Sequence, residues 1–385
     1  MRGLALLWPR ALSLCAVLGA FAVAGCSSQT NSSVSVTGST LTIYGSRGGG
    51  GQGPGVGQTA TDVLDAEQLA LRQTGSKIGR YTVSFVPLDK ATVSDDARTA
   101  VQNQSAIAYL GEIEPGTSQV SVEITNELGL LEVSPTDTAV YLTQATPAVP
   151  GAPGNYYPSS SSYHETFARV VPNTVQEAKA IVAEMQSLHL SKLYVSDDGQ
   201  PYGKSLALEV RTDAPGHGLT VVSSPSGADA VFYGGNSPST ATAALDRAAD
   251  ASPSARLFVP SALYDSAFAS RLSASAQRNL YVSSPGFVSR TLTPAGKQFE
   301  SAFASAYGHA PAPSAIFGYE AMAAVLAVLK QAGAAAGNRA TVVSDFRSIK
   351  NRNSVLGTYS IQGGDTTIAP FVFARVRNGA LVPLT

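Results

Sequence analysis

The sequence predicts an α/β protein with parallel-sheet cores, and two observations carry that prediction. From Leu41 onward, short β-branched or aromatic runs alternate with amphipathic stretches across loops of Gly, Ser, Pro and Asp, which is the pattern of successive βα units. The 360 residues that follow a 25-residue leader are also many for one hydrophobic core and sufficient for two, so two lobes are expected.

The leader comes first. Arg2 and Arg10 form a charged start, residues 11–22 form an apolar run too short to span a bilayer comfortably, and Val23-Ala24-Gly25-Cys26 reads as a lipobox. Cleavage before Cys26 and lipidation of that residue are expected, leaving the folded part on the extracytoplasmic face of a membrane. Residues 26–38 are mostly Ser, Thr, Asn, Gly and Val and read as a flexible tether.

Strands are predicted over 41–45, 81–89, 106–111, 130–134, 192–197, 230–234, 256–260 and 279–283, each bounded by turn residues. Helices are predicted over 59–73, 118–128, 175–188, 204–214, 239–249, 295–307 and 319–332. Within 175–188, Ala178, Ile181, Val182 and Met185 recur at three- and four-residue spacing and define one buried stripe. The proline-rich stretch 146–163 reads as a surface excursion between lobes. After it the rhythm resumes, until Asn378-Gly379 marks a hairpin and the chain ends in antiparallel strands.

Composition excludes several functions. The leader removes two arginines and no acid, so the formal charge moves from −1 to −3, with no basic stripe for nucleic acid. Cys15 leaves with the leader and Cys26 carries lipid, so no thiol remains for a disulfide, a metal or a nucleophile. His164, His189, His217 and His309 lack metal-ligand spacing, and no G-x-S-x-G elbow occurs. No metal, no cofactor and no enzymatic activity are expected. The glycines at 48–53 fit G-x-G-x-x-G, but Asp89 lies too far on to complete a dinucleotide site. Residues 199–205 fall one short of a phosphate-binding P-loop. After Cys26, no apolar stretch approaches a membrane span.

Parallel sheets bind ligands at the carboxyl ends of their strands, and two loops stand out there. In Ile113-Glu114-Pro115-Gly116-Thr117-Ser118, Gly116 permits a tight turn, and free N–H groups at a helix start suit a ligand carboxylate. The same residues also suit a helix cap with no ligand. Ser134-Pro135-Thr136-Asp137-Thr138 is a second polar loop with a single acid.

From Ala108 through Gly116–Ser118, Val133-Ser134-Pro135 and Leu142-Thr143, the chain resembles the type I periplasmic binding proteins, in particular the leucine/isoleucine/valine-binding family of ABC transporters. The likeness continues through Arg169-Val170-Val171-Pro172, Asp197-Asp198 with Tyr202-Gly203, Gly234-Gly235 and Gly318-Tyr319. It implies two Rossmann-like lobes joined by three crossovers near 162–166, 284–290 and 354–357. One lobe would comprise 39–163 plus 287–355, and the other 164–286 plus 356–385.

The resemblance further implies that Gly116, Thr117, Ser118 and Thr138 hold a ligand carboxylate, with Thr136 in the same loop, and that Tyr202 covers the ligand from the second lobe. Tyr202 also reads as a packing residue at a helix start. Asn236 stands where the branched-chain binders carry a tyrosine, and Ser261 stands where they carry the acid for the ligand ammonium. Asp137 is then either a replacement counter-charge or a brace for its own loop. Glu114 is the other acid in reach. The function implied is capture of a small molecule, amino-acid-like or another carboxylate, for ABC permease subunits by hinge closure. A sensor of the same fold without transport is the alternative.

Overall fold

The computed structural model describes residues 34–48, 56–158 and 164–384. The leader, Cys26 and most of the tether lie outside the described residues, as does the centre of the glycine-rich loop that begins at Gly48. The tether expected to run to residue 38 docks earlier. Val36 is buried and donates its N–H to Gly337 O at 2.7 Å.

Elements follow in the order β1 (Thr40–Ser46), α1 (Val56–Thr74), β2 (Lys77–Ile78), β3 (Tyr81–Leu88), α2 (Val93–Gln102), β4 (Ala106–Leu110), α3 (Ser118–Glu127), β5 (Leu131–Ser134) and β6 (Phe167–Arg169). Next come α4 (Thr174–Ser187), β7 (Lys192–Asp197), α5 (Pro201–Asp213), β8 (Thr220–Val222), β9 (Ala230–Gly234), α6 (Pro238–Ala251), β10 (Arg256–Val259), α7 (Ser266–Arg271), α8 (Ala274–Asn279) and β11 (Leu280–Pro285). The chain continues through α9 (Pro294–Tyr307), α10 (Ala315–Ala332), α11 (Arg339–Arg347), the short strands β12 (Arg352–Ser354), β13 (Gly357–Tyr359), β14 (Ile361–Gln362) and β15 (Asp365–Thr366), and the closing hairpin β16 (Phe371–Arg377) and β17 (Ala380–Pro383). The hairpin turns at Asn378 and Gly379, both at positive φ, as the Asn-Gly pair predicts.

Two sheets form the two lobes. The first runs β2-β3-β1-β4-β5-β6, parallel except for β2, and the second runs β17-β16-β11-β10-β9-β7-β8, parallel except for the final hairpin. Strand order reverses between β1 and β4 in the first sheet and between β7 and β9 in the second. The carboxyl ends of those strands are where such sheets open a crevice.

The crossovers differ from the expected boundaries at two places. Phe167–Arg169 pairs in parallel with Glu132–Ser134, so β6 belongs to the first sheet and the chain leaves that lobe after Arg169, not before His164. Leu356, Tyr359 and Ile361 bury in the first lobe's core, so the last crossover follows β15 rather than residue 355. The middle crossover lies at Gly286, whose N–H donates to Pro370 O at 3.2 Å and so brings two crossing segments side by side.

The stretch 146–158 is not simply a surface excursion. Tyr156 and Tyr157 are buried and join the apolar cluster that contains Tyr141, Ile181, Met185 and Leu206. The predicted stripe of α4 buries as expected, with Ala178, Ile181, Val182 and Met185 all inward.

Helix α10 with the turn to Gly337 is long and apolar enough to cross a membrane, contrary to the expectation that nothing after Cys26 is. Its apolar surface is the first lobe's core, where Val325, Leu326 and Leu329 are fully buried. α10 packs on α1 so closely that a Cβ on Gly318 would lie 2.5 Å from Val63 O. Gly318→Ala is expected to destabilise by about 1–3 kcal/mol in urea unfolding, because overpacking against backbone outweighs the gain in helix propensity of roughly 1 kcal/mol. A neutral or stabilising result would show that the two helices separate readily.

Candidate ligand-binding cleft

The loops at the carboxyl ends of both sheets face one another across a cavity of about 110 Å³. The first lobe supplies Arg47 after β1, Ile113, Glu114 and Pro115 after β4, and Thr136 after β5. The second supplies Asn236 after β9, Ser261 after β10, and Ser284 and Pro285 at the end of β11. The lobes are closed on each other. Asn236 Nδ2 lies 3.4 Å from Pro115 O, Thr138 Oγ1 lies 3.3 Å from the Tyr202 hydroxyl, and a Cβ on Gly116 would sit 3.2 Å from Tyr202 Cβ.

Asp137 is fully buried, and its carboxylate is spent on its own lobe. Oδ1 accepts from Gly116 N at 2.8 Å and from Ala139 N at 2.9 Å, while Oδ2 accepts from Ser118 N at 2.9 Å. These are the N–H groups that the sequence offers to a ligand carboxylate. Of the two roles open to Asp137, the geometry is that of the loop brace. Capping of α3 therefore comes from Asp137 rather than from Thr117, whose hydroxyl donates to Glu114 O at 2.6 Å, or from the Ser118 hydroxyl, which accepts from Glu112 N at 3.0 Å.

A second internal carboxylate lies behind the other lobe's loops. Glu177, in the first turn of α4, is fully buried and accepts at Oε1 from Ser261 N and from Ser283 Oγ, both at 2.7 Å. Its Oε2 lies 3.4 Å from the Tyr202 hydroxyl and 3.5 Å from Thr138 Oγ1. Burial raises its pKa above the ordinary glutamate value, opposed by the hydrogen bonds from Ser283 and Ser261. Nothing local in the sequence distinguishes Glu177 from any acid in the first turn of a helix.

A family model for periplasmic binding proteins matches residues 52–380. The chain belongs to that family.

Solved structures of the same fold include a leucine-binding protein from Thermotoga maritima MSB8, 18% identical over 90% of this chain and 98% of that one, with a TM-score of 0.70. A substrate-binding protein of an ABC transporter from Desulfitobacterium hafniense, in complex with Leu, is 18% identical over 90% and 99%, with a TM-score of 0.69. A solute-binding protein from R. palustris in complex with benzoate is 17% identical over 90% and 96%, with a TM-score of 0.65. No curated protein matches the sequence.

Within this periplasmic binding protein, Thr136, Asn236 and Ser261 line the cavity, as does Glu114. Gly116, Thr117, Ser118, Asp137, Thr138 and Tyr202 do not line it: Gly116 and Ser118 are bonded to Asp137, Thr138 and Tyr202 approach each other and Glu177, and Thr117 is bonded to Glu114 O. Arg47, Thr59, Tyr264 and Ser284 line the cavity and were not singled out in the sequence. Arg47 and Ser284 lie at strand carboxyl ends, so the rule that flagged residues 113–118 reaches them too. Burial pushes the Tyr264 hydroxyl up to about 12 and the Glu114 carboxyl above its usual range, the latter helped by the nearby charge of Asp137. Gly203 and Gly234 have a different task from phosphate binding. A Cβ on either would lie 2.5 Å from the other's carbonyl oxygen, so they let α5 pack directly on β9.

Proposed function

We propose that this protein is the solute-binding component of an ABC importer, tethered by lipid at Cys26 to the extracytoplasmic face of a membrane. In this reading it captures a small organic molecule between its lobes and hands it to a permease without covalent chemistry. The observation that carries the reading is the cavity itself, walled by strand-end loops from both lobes, which meet directly at Asn236 and Pro115. Ligand bridges the lobes and shifts an open–closed equilibrium by its extra affinity for the closed form. The structural neighbours with Leu and benzoate support capture of small organic solutes by this fold.

Leucine, isoleucine and valine are expected to bind poorly. Asn236 and Ser261 replace the aromatic wall and the acid of the branched-chain binders, and Glu177 is already engaged by Ser261 N. Native mass spectrometry of protein purified without refolding identifies a retained solute, and small-angle scattering with that solute is expected to show a smaller radius than without it. A tight ligand that leaves the scattering profile unchanged would refute the clamp. Calorimetric binding of any of the three amino acids at about −8 kcal/mol or better, micromolar affinity, would refute their exclusion.

A further inference from the structure

The backbone N–H groups that the start of α3 would offer to an anion are already occupied. The N–H groups of Gly116 and Ser118 lie at the start of α3, beside the point where strand order reverses in the first sheet, where hydrogen bonding and the helix dipole together favour a carboxylate. Asp137 fills that position from within, fully buried, at 2.8 and 2.9 Å from those two nitrogens, with Ala139 N as a third donor. Each N–H has one proton to give and Asp137 already accepts it, so a second carboxylate would meet like charge without these donors.

The acids around the cleft act in the same direction. Glu114 lines the cavity and Glu177 backs Ser261. Arg47, the guanidinium on the cavity wall, donates to Thr61 Oγ1 at 2.8 Å and faces Asp89 at 4.0 Å. Arg169, behind the Asp137 loop, is paired with Asp365 at 2.9 Å.

We infer that Asp137 is a built-in occupant of the anion position and determines specificity: the cleft takes a small solute that presents no carboxylate to the start of α3. This rests on the solute-binding reading above, but its test does not need the natural solute. The full chain, Asp137→Ala and Asp137→Asn are compared by thermal unfolding in increasing sodium formate or acetate, with formamide and acetamide as uncharged controls at matched ionic strength.

Asp137→Ala is expected to melt several degrees lower, and formate is expected to restore much of that loss saturably, while the unsubstituted chain does not respond and formamide has no effect. If Asp137→Ala folds only when refolded in formate, that supports the same conclusion. Asp137→Asn keeps the side chain's shape but loses one acceptor, so it too is expected to melt lower, with little response to formate. An Asp137→Asn protein as stable as the parent, or a formate response equal in parent and Asp137→Ala, would overturn the inference. With matched acid, amide and amine forms of one carbon skeleton, the parent is expected to favour the amide or amine over the acid by on the order of 100-fold, about 2.7 kcal/mol. Preference for the acid would overturn the inference while leaving solute binding intact. Absence of any ligand, with formate rescue present, would count against solute binding alone.

Discussion

Arg169→Ala is expected to cost about 3–5 kcal/mol of folding stability, because it strands a buried charge and several carbonyls at once. The Arg169 side chain is fully buried at the end of β6. Its Nε lies 2.9 Å from Asp365 Oδ1, and its two terminal nitrogens donate to Asp137 O and Ala139 O, each at 2.8 Å. Asp365 is left with Thr143, Gln144 and Asn173 as neutral donors. The loss is therefore large without being the full cost of an unpaired charge. One guanidinium ties the segment before the first crossover, the hairpin before the last, and the loop that carries Asp137. Urea unfolding of Arg169→Ala, Asp365→Ala and the double variant checks this. The double variant should lose clearly less than the sum of the singles. A loss below about 1 kcal/mol for Arg169→Ala would place the pair among weak surface ion pairs, against its burial.

The second large effect is a dependence on pH. Ser46 Oγ, at the end of β1, lies 2.8 Å from Asp96 Oδ2 and 2.7 Å from Glu112 Oε2, and all three residues are fully buried. A hydroxyl has one proton to give, so one of these two contacts needs a proton from a carboxyl group. Burial pushes Glu112 up to about 7 from 4.5, opposed by hydrogen bonds from Tyr109 and Ser46, and it raises Asp96 and Glu132 as well.

Because the folded pKa lies above the unfolded value, the folded state holds more protons between about pH 4.5 and 7. Stability therefore falls as pH rises through that window and levels off above it, a loss of about 3 kcal/mol for Glu112 alone. Glu112→Gln is expected to remove that part of the slope and to be more stable than the parent at pH 8. Unfolding free energies for both proteins from pH 4.5 to 8 check it, and parallel curves would contradict it. The same Ser46 hydroxyl accepts from Gly48 N at 3.1 Å, so the acid pair sits directly beneath one wall of the cleft.

Much of the fold was legible because the signals are local. Strands 192–197 and 230–234 appear as the sequence predicts, α3 and α9 differ from it by a residue at one end, and α4 by a residue at each end. Helix α2 was missed because its buried apolar residues are only Ala97 and Ala100, too small to mark a stripe. Strand β6 was missed because three residues carry no measurable period, and only pairing with Glu132–Ser134 assigns them to the first lobe.

By itself the sequence determined the order of βα units, the absence of thiol chemistry after Cys26, and the loops at the strand ends that form the cleft, since these depend on composition and near-neighbour spacing. Tertiary structure alone decided which group each loop holds. Asp137 meets N–H groups 19 and 21 residues earlier, Glu177 meets an N–H 84 residues later, and Arg169 meets an acid near the far end of the chain. A buried carboxylate must find donors wherever the fold brings them, and no local pattern records which of several acids will reach them first.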